Sequence, residues 1–272
     1  MRYLLPASAA LAAVAFVASP AGAAPIVNTG FEEGSFAAAG LNDFSNITAP
    51  TLTAGAGTGG STALDFGSDG ASAGATRTID AVAAFSMFGK YNGNAGTSNG
   101  TMSFGWTQAA ADFNPFNGTG TGVVATDHVI VGVARDAGNA FRLSAVNGAH
   151  GQMNSANLFG NSAAALTSGD WYRLEGTIGF DPSTKAFTFT NVSLDDFGPA
   201  GTTQVTADVL SGTGFTLTAP TFGTTARPLY MTNRDRGFQV TDNYFADAVP
   251  EPASLGLLAA AAIGLLAGRR RK

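Results

Sequence analysis

Short segments in which apolar and polar residues alternate constrain this chain more than any other feature. In residues 101–106, Met102, Phe104 and Trp106 occupy every second position, which is the spacing of one face of a β-strand. Residues 128–135 are apolar at both alternations, as expected for a central strand covered on both faces. At least ten such segments are separated by Gly, Asn, Ser and Thr, with almost no helical periodicity. The pattern predicts an all-β fold, an antiparallel β-sandwich of the jelly-roll type.

The best-defined hairpin is predicted at residues 171–194. Its first strand has two alternating sets: an inward set of Tyr172, Leu174, Ile178 and Phe180, and an outward set of Trp171, Arg173, Glu175 and Thr177. Residues 181–184 supply a turn with Pro182 at its second position. In the return strand the apolar phase slips by one residue at Thr190 and Asn191, which predicts a β-bulge.

Two stretches of this body, 170–175 with its hairpin and 242–245, resemble concanavalin-A-like or laminin-G-like β-sandwiches. The resemblance covers about a third of the body and bears on its fold more than on any activity. It implies that the first and last strands lie side by side.

The N-terminus is predicted to be a signal peptide of residues 1–23. Arg2 precedes an apolar stretch at 3–18, and Ala21, Gly22 and Ala23 are the small residues that signal peptidase requires. Cleavage between Ala23 and Ala24 would start a mature β-sandwich domain at 24–247, outside the inner membrane.

The last 24 residues have three parts. Val249, Pro250, Glu251 and Pro252 form an extended motif, because each proline disfavours helix at the residue before it. Residues 253–268 are uncharged and would rise roughly 24 Å as a single transmembrane helix, against a hydrocarbon core of about 30 Å. The basic stop-transfer tail, Arg269, Arg270, Arg271 and Lys272, would stay in the cytoplasm.

Together these three parts resemble a PEP-CTERM sorting domain of Gram-negative bacteria, also called the ice-binding-protein C-terminal domain. The resemblance implies transient residence in the inner membrane, removal of the tail by an exosortase-type transpeptidase, and delivery to the cell envelope, surface or extracellular matrix. It does not imply ice binding. The alternative is an ordinary C-terminal anchor that is never processed.

Charge and cysteine content restrict the partners of the exported body. The formal net charge is −5, although the four basic residues at 269–272 lie in the tail, so the body itself is more acidic. An acidic body argues against nucleic acid or anionic lipid as a partner. The chain has no cysteine, and its stability must therefore come from a core without disulfides.

Several motifs that suggest enzymes fail on their context, and we predict that the chain is not an enzyme. Ser72 lies in a Gly-x-Ser-x-Gly sequence, but a strand is predicted after it where a nucleophile elbow needs a helix. Residues 55–60 fit a dinucleotide fingerprint without a surrounding βαβ unit. His128 and His150 are far apart in sequence, and the Glu-x-Asp-x-x-Glu pattern of laminarinase-like glycosidases is absent.

No cofactor is required by the sequence, and calcium is the expected ion if one is bound. Glu32 or Glu33 near the first strand and Asp242 on the last strand could supply the oxygen ligands that calcium prefers. Asp65 and Asp69 are a second candidate pair. Solvated carboxylates on an acidic surface remain the alternative for both groups.

Two functional classes stay open. One is a non-enzymatic component of the cell surface or of an exopolysaccharide matrix. The other is a lectin-like glycan-binding module, calcium-dependent or not, in which polysaccharide rings stack on an outward aromatic residue. Trp171 is the main stacking candidate, and Tyr91 and Tyr230 are further ones.

Overall fold

The strands of the sandwich are resolved in a computed structural model. It describes residues 27–35, 37–39, 41–43, 50–66, 72–79, 82–93, 100–107, 113–114, 119–120, 128–135, 140–147, 159, 163–220, 222, 227–233 and 237–248. The strands are β1 (Val27–Thr29), β2 (Leu41–Asp43), β3 (Thr51–Thr53), β4 (Ala63–Asp65), β5 (Ser72–Ile79), β6 (Val82–Tyr91), β7 (Gly100–Thr107), β8 (Phe113–Asn114), β9 (Thr119–Gly120), β10 (His128–Arg135), β11 (Phe141–Asn147), β12 (Trp171–Asp181), β13 (Ala186–Asp196), β14 (Thr206–Gly212), β15 (Phe215–Thr218), β16 (Arg227–Asn233) and β17 (Phe238–Ala248).

The strands form two large sheets and one small pair. Sheet A has nine strands in the order β14-β13-β12-β6-β17-β4-β3, with β1 added to β17 and β15 added to β13. Sheet B has six strands in the order β11-β10-β7-β16-β5-β2, and β8 pairs with β9. Every strand pair in the described residues is antiparallel. The predicted all-β, antiparallel fold is confirmed.

The core lies between the two sheets because each central strand turns its alternate apolar residues inward. Phe85 of sheet A stacks on Phe104 of sheet B with ring centroids 4.4 Å apart. Trp106 of sheet B meets Phe187 of sheet A edge-on at 5.2 Å. These aromatic contacts between sheets hold the sandwich together without disulfides.

The predicted central strand is also confirmed. In β10, Val129, Val131 and Val133 face the core, and Ile130 on the opposite face is equally buried. β10 pairs with β11 on one side and with β7 on the other. A strand apolar on both faces is therefore covered on both faces, as its sequence requires.

The hairpin of β12 and β13 has the predicted turn and bulge. Asp181 accepts hydrogen bonds from the backbone and side chains of Ser183 and Thr184, which closes the turn. These bonds lower the pKa of Asp181 to about 2. The register shifts between Glu175 and Thr177, and the partner strand has Asn191 at a positive φ of 51°. The extra residue restores the apolar phase of β13.

The two terminal strands differ in length. β1 has three residues, whereas β17 has eleven. β17 pairs with β1, as expected of the terminal strands. The predicted signal peptide and the 249–272 segment lie outside the described residues. Within the described residues no helix is long and apolar enough to cross a membrane.

Candidate functional site

Trp171 is not available for stacking on a sugar, so that prediction is wrong. Its side chain lies on the outer face of sheet A, as its phase requires, but it is only 1% exposed. The 198–201 loop covers it, since the backbone N–H of Trp171 donates to the carbonyl of Gly198 over 2.9 Å. A Cβ at Gly201 would lie 2.8 Å from the indole Cγ. Trp171 is among the residues that line a cleft of about 510 Å³ beside these loops, but at 1% exposure the indole presents no ring face on which a sugar could stack.

The other predicted aromatic platforms fail for different reasons. Tyr91 belongs to the core, where its ring contacts Phe141 and Phe238 at centroid distances of 5.2 and 5.6 Å. It therefore points away from solvent. The side chain of Tyr230 lies outside the described residues.

The carboxylate of Asp242 fastens a glycine-rich loop to sheet A. It is fully buried, and its Oδ2 accepts hydrogen bonds from the backbone N–H and hydroxyl of Thr58 at 2.8 and 2.7 Å. The hydroxyl of Ser61 donates to the same oxygen at 2.8 Å. Oδ1 accepts from the backbone N–H of Asn243 at 2.7 Å. Both oxygens are thus engaged by protein donors.

The predicted calcium ligands each accept hydrogen bonds from protein donors. Glu32 accepts hydrogen bonds from the backbone and hydroxyl of Thr62, and Glu33 accepts from the hydroxyl of Thr29 at 2.7 Å. Among the described residues no three His, Asp or Glu side chains converge as metal ligands. Calcium binding by Glu32, Glu33 and Asp242 stays a prediction. Asp69 of the second candidate pair lies outside the described part of the chain.

The backbone around Ser72 and around residues 55–60 lacks the elements that the corresponding enzyme motifs need. Ser72 begins the eight-residue strand β5, so no helix follows it as a nucleophile elbow requires. Residues 55–60 form a turn ending in the 3₁₀ segment Thr58–Gly60, with no βαβ unit around them. His128 starts β10, while His150 is outside the described residues.

The candidate site is a cleft of about 540 Å³ on sheet A, which we call the bulge cleft. Its lining residues are Phe159, Glu175, Asn191, Val192, Ser193, Asp208, Ser211, Gly212 and Thr213. β14 and β15 both pair with β13 and leave a gap between Gly212 and Phe215, opposite the bulge at Asn191. The bulge and the gap together open the edge of the sheet.

A charged network lies at the inner wall of the bulge cleft. Arg173 donates to Glu175 at 3.1 Å and to Asp195 at 2.8 Å through Nη2. Its Nε lies 3.1 Å from the Glu175 carboxylate, at an angle that makes an ion pair without a hydrogen bond. Burial raises the pKa of Glu175, Arg173 opposes that shift, and the charges of Asp195 and Asp208 add to it.

Asp208 forms the outer wall of the bulge cleft, and its position depends on its backbone conformation. Asp208, at a positive φ of 51°, donates its N–H to Asp195 at 2.8 Å. Asn and Asp tolerate this conformation better than other side chains. The sequence predicted Glu175 to point outward and predicted the bulge, but it did not predict the cleft. Gly212, Thr213 and Gly214, which are turn-type residues between two β-segments, were the available signal.

Comparison with protein families identifies a known motif at the C-terminus. Residues 248–272 match the PEP-CTERM protein-sorting motif. This motif indicates an exported chain, processed by an exosortase and sorted to the cell surface or the extracellular space. It begins at Ala248, the last residue of β17. A comparison with curated protein sequences gives no match.

Solved structures with a similar arrangement share little sequence with this chain. One is a carbohydrate esterase from the Shiga toxin-encoding bacteriophage phi24B, 16% identical, with a TM-score of 0.46 over 82% of this chain and 96% of that one. Another is peanut lectin, 13% identical, with a TM-score of 0.45 over 82% and 97%. The PL-14 alginate lyase from Aplysia kurodai is 10% identical, with a TM-score of 0.39 over 74% and 87%. Similarities at this level carry no argument about activity.

Proposed function

We propose that this protein is a non-enzymatic component of the cell surface or of an exopolysaccharide matrix, delivered there by exosortase processing. The observation that carries the proposal is the position of the sorting motif. It starts where β17 ends, at Ala248, so a cut near Glu251 would release every strand of the described sandwich. The acidic body suits a neutral or cationic surrounding better than nucleic acid.

Mass spectrometry of the protein from its native cells tests this proposal. The mature chain should begin at Ala24 and end near residues 249–252, without the segment 253–272. Glu251→Ala should leave the tail attached and keep the protein in the inner membrane, whereas the neighbouring Ser254→Ala should be processed normally. Retention of Lys272 in the native protein would mean that the segment is only an anchor.

The structural roles of the described glutamates support a body without catalysis. Glu32 and Glu33 fix loops, and Glu175 is held by Arg173. A glycosidase needs two carboxylates set across the scissile bond, one of them free to give or take a proton. Incubating the mature protein with neutral and acidic polysaccharides should release neither new reducing ends nor unsaturated products. Release of either product would make the protein an enzyme.

Glycan binding is the second candidate function, and the bulge cleft favours it. Sugar sites combine a few directed polar groups with an apolar surface, and this cleft has carboxylates, hydroxyls and the ring of Phe159. A glycan array with calcium and with EDTA tests this function. Specific retention supports it, and equal retention in both buffers would show that calcium is not needed.

A further inference from the structure

A continuous row of side chains crosses the outer face of sheet A at the bulge cleft. The strand registers place Ser211 beside Ser193, Ser193 beside Glu175, Glu175 beside Ser86, and Ser86 beside Phe245. Neighbouring strands lie about 4.8 Å apart, so the five residues span roughly 19 Å. The row runs across the strands and not along them.

Two clefts lie along this row and share residues. The bulge cleft contains Ser211, Ser193 and Glu175. A second cleft of about 330 Å³ contains Glu175, Ser86 and Phe245. Both clefts include Glu175 and Asn191, so the outer face has one groove that is deepest on either side of these two residues.

The depth of the groove comes from small side chains and from the bulge. Three of the five residues in the row are serines, while a sheet face usually carries larger side chains. At Asn191 the β-bulge inserts an extra residue, which bends the strand and breaks the flat surface. The groove is therefore a consequence of the fold at this position and does not depend on a mobile loop.

The polar groups of the groove suit a ligand that both donates and accepts hydrogen bonds. Ser193 lines the bulge cleft and is only 8% exposed. A serine hydroxyl both donates and accepts hydrogen bonds, as the hydroxyls of a sugar do. Glu175 and Asp208 add carboxylate oxygens, which accept hydrogen bonds from hydroxyl groups.

An aromatic ring lies at one end of the groove, where half-buried Phe245 lines the second cleft. Phe159 also lines the bulge cleft, but its ring stacks on Phe189 and Phe215, which pack with the core, at centroid distances of 6.3 and 4.9 Å. The C–H face of a sugar ring can pack on Phe245, while the sugar hydroxyls meet the polar groups beside it.

The local charge restricts the class of sugar that the groove can bind. Arg173 is the described cation in this network, and it is already paired with Glu175 and Asp195. Asp208 adds a further negative charge at the outer wall. A uronic acid carboxylate would be repelled by this group of acids.

We infer that the groove from Ser211 to Phe245 binds an extended segment of an uncharged polysaccharide, laid across the strands of sheet A. This inference rests on the glycan-binding function and adds its location and its sugar class. It uses neither calcium nor Trp171.

The test uses the full chain purified in detergent. Affinity electrophoresis through gels containing laminarin, dextran or galactomannan measures binding to neutral polysaccharides, and alginate is the acidic comparison. At least one neutral polysaccharide should retard the wild-type protein, and alginate should retard it at least tenfold more weakly.

Two matched variants locate the site. Ser211→Trp fills the groove from an exposed position and should weaken the binding at least tenfold. Thr218→Trp places the same ring on an exposed position of the neighbouring strand β15, outside both clefts, and should change binding less than twofold. The melting curves of both variants by circular dichroism should match that of the wild type, which excludes misfolding as the cause.

The outcomes separate the inference from the function on which it rests. Retardation by a neutral polysaccharide that Ser211→Trp leaves unchanged would overturn the groove and keep glycan binding. Stronger retardation by alginate would overturn the sugar class. No retardation by any of the three neutral polysaccharides would overturn both, and the sorting proposal would still be decided by mass spectrometry.

Discussion

Asp242 should be the most sensitive single side chain of the outer loops, and its replacement tests the description of the loop it holds. Its carboxylate is fully buried and accepts four hydrogen bonds from Thr58, Ser61 and Asn243. Asp242→Ala removes the acceptor of two backbone N–H groups, those of Thr58 and Asn243, and of two hydroxyls, those of Thr58 and Ser61. Breaking a buried charged network in this way costs about 3–5 kcal/mol.

Asp242→Asn is the milder change, because it keeps the size of the side chain and one carbonyl oxygen. Its amide group would face donors where Oδ2 accepts three hydrogen bonds, so we expect a loss of about 2 kcal/mol. With a urea m-value of about 2–3 kcal/mol/M, the midpoint of unfolding should fall by roughly 1 M. The exposed Asp208→Asn is the control and should change stability by less than about 0.5 kcal/mol.

Tryptophan fluorescence reports the same event locally. Because the loop held by Asp242 contacts the 198–201 loop that covers Trp171, Asp242→Ala should increase acrylamide quenching before global unfolding. An unchanged midpoint with unchanged quenching would refute the reasoning. A midpoint that EDTA lowers in the wild type but not in Asp242→Asn would instead support the calcium prediction.

Three further predictions concern the hairpin and the core. The fold lowers the pKa of Asp181 from 3.8 to about 2, so the stability that its carboxylate contributes is present above pH 3.8 and is lost as the pH falls towards 2. In Asp181→Asn the melting temperature should therefore depend less on pH between these two values. Gly176→Ala should destabilise by about 1–3 kcal/mol in urea unfolding, because the added Cβ would lie 2.9 Å from Val192 and 3.2 Å from Phe85. Phe104→Ala should cost about 3–5 kcal/mol in the same assay, since it removes the ring stacked on Phe85.

Local periodicity explains what the sequence predicted well. The inward and outward sets of β12 follow from alternation alone, and the bulge at Asn191 follows from a phase slip between two apolar pairs. Both features depend on residues close together in the chain. Both features can therefore be predicted without knowing any contact between distant residues.

Contacts between distant residues explain what the sequence did not predict. The outward phase of Trp171 was correct, but its cover comes from a loop at 198–201 and the Thr58–Gly60 turn that contacts it. The hydrogen bonds that Asp242 accepts could not be predicted either, because Thr58 lies 184 residues from Asp242 in the chain. The groove needs the register of five strands, which no single segment contains.

The boundary between β17 and the sorting motif gives a last prediction. β17 is paired along its length with β6, and its pairing continues to Ala248 opposite Ala83. Tyr244, four residues earlier, is fully buried, and this burial raises the pKa of its hydroxyl. A chain cut after Ala248 keeps all of these contacts, so its free energy of unfolding should match that of the full chain to about 1 kcal/mol. A chain cut after Thr241 loses Tyr244 and the pairing with β1, and it should not fold.

Urea unfolding followed by circular dichroism compares the full chain with the chains cut after Ala248 and after Thr241. A clear loss of stability in the chain that ends at Ala248 would mean that residues 249–272 belong to the folded body, and exosortase cleavage would then damage the domain that it is proposed to release.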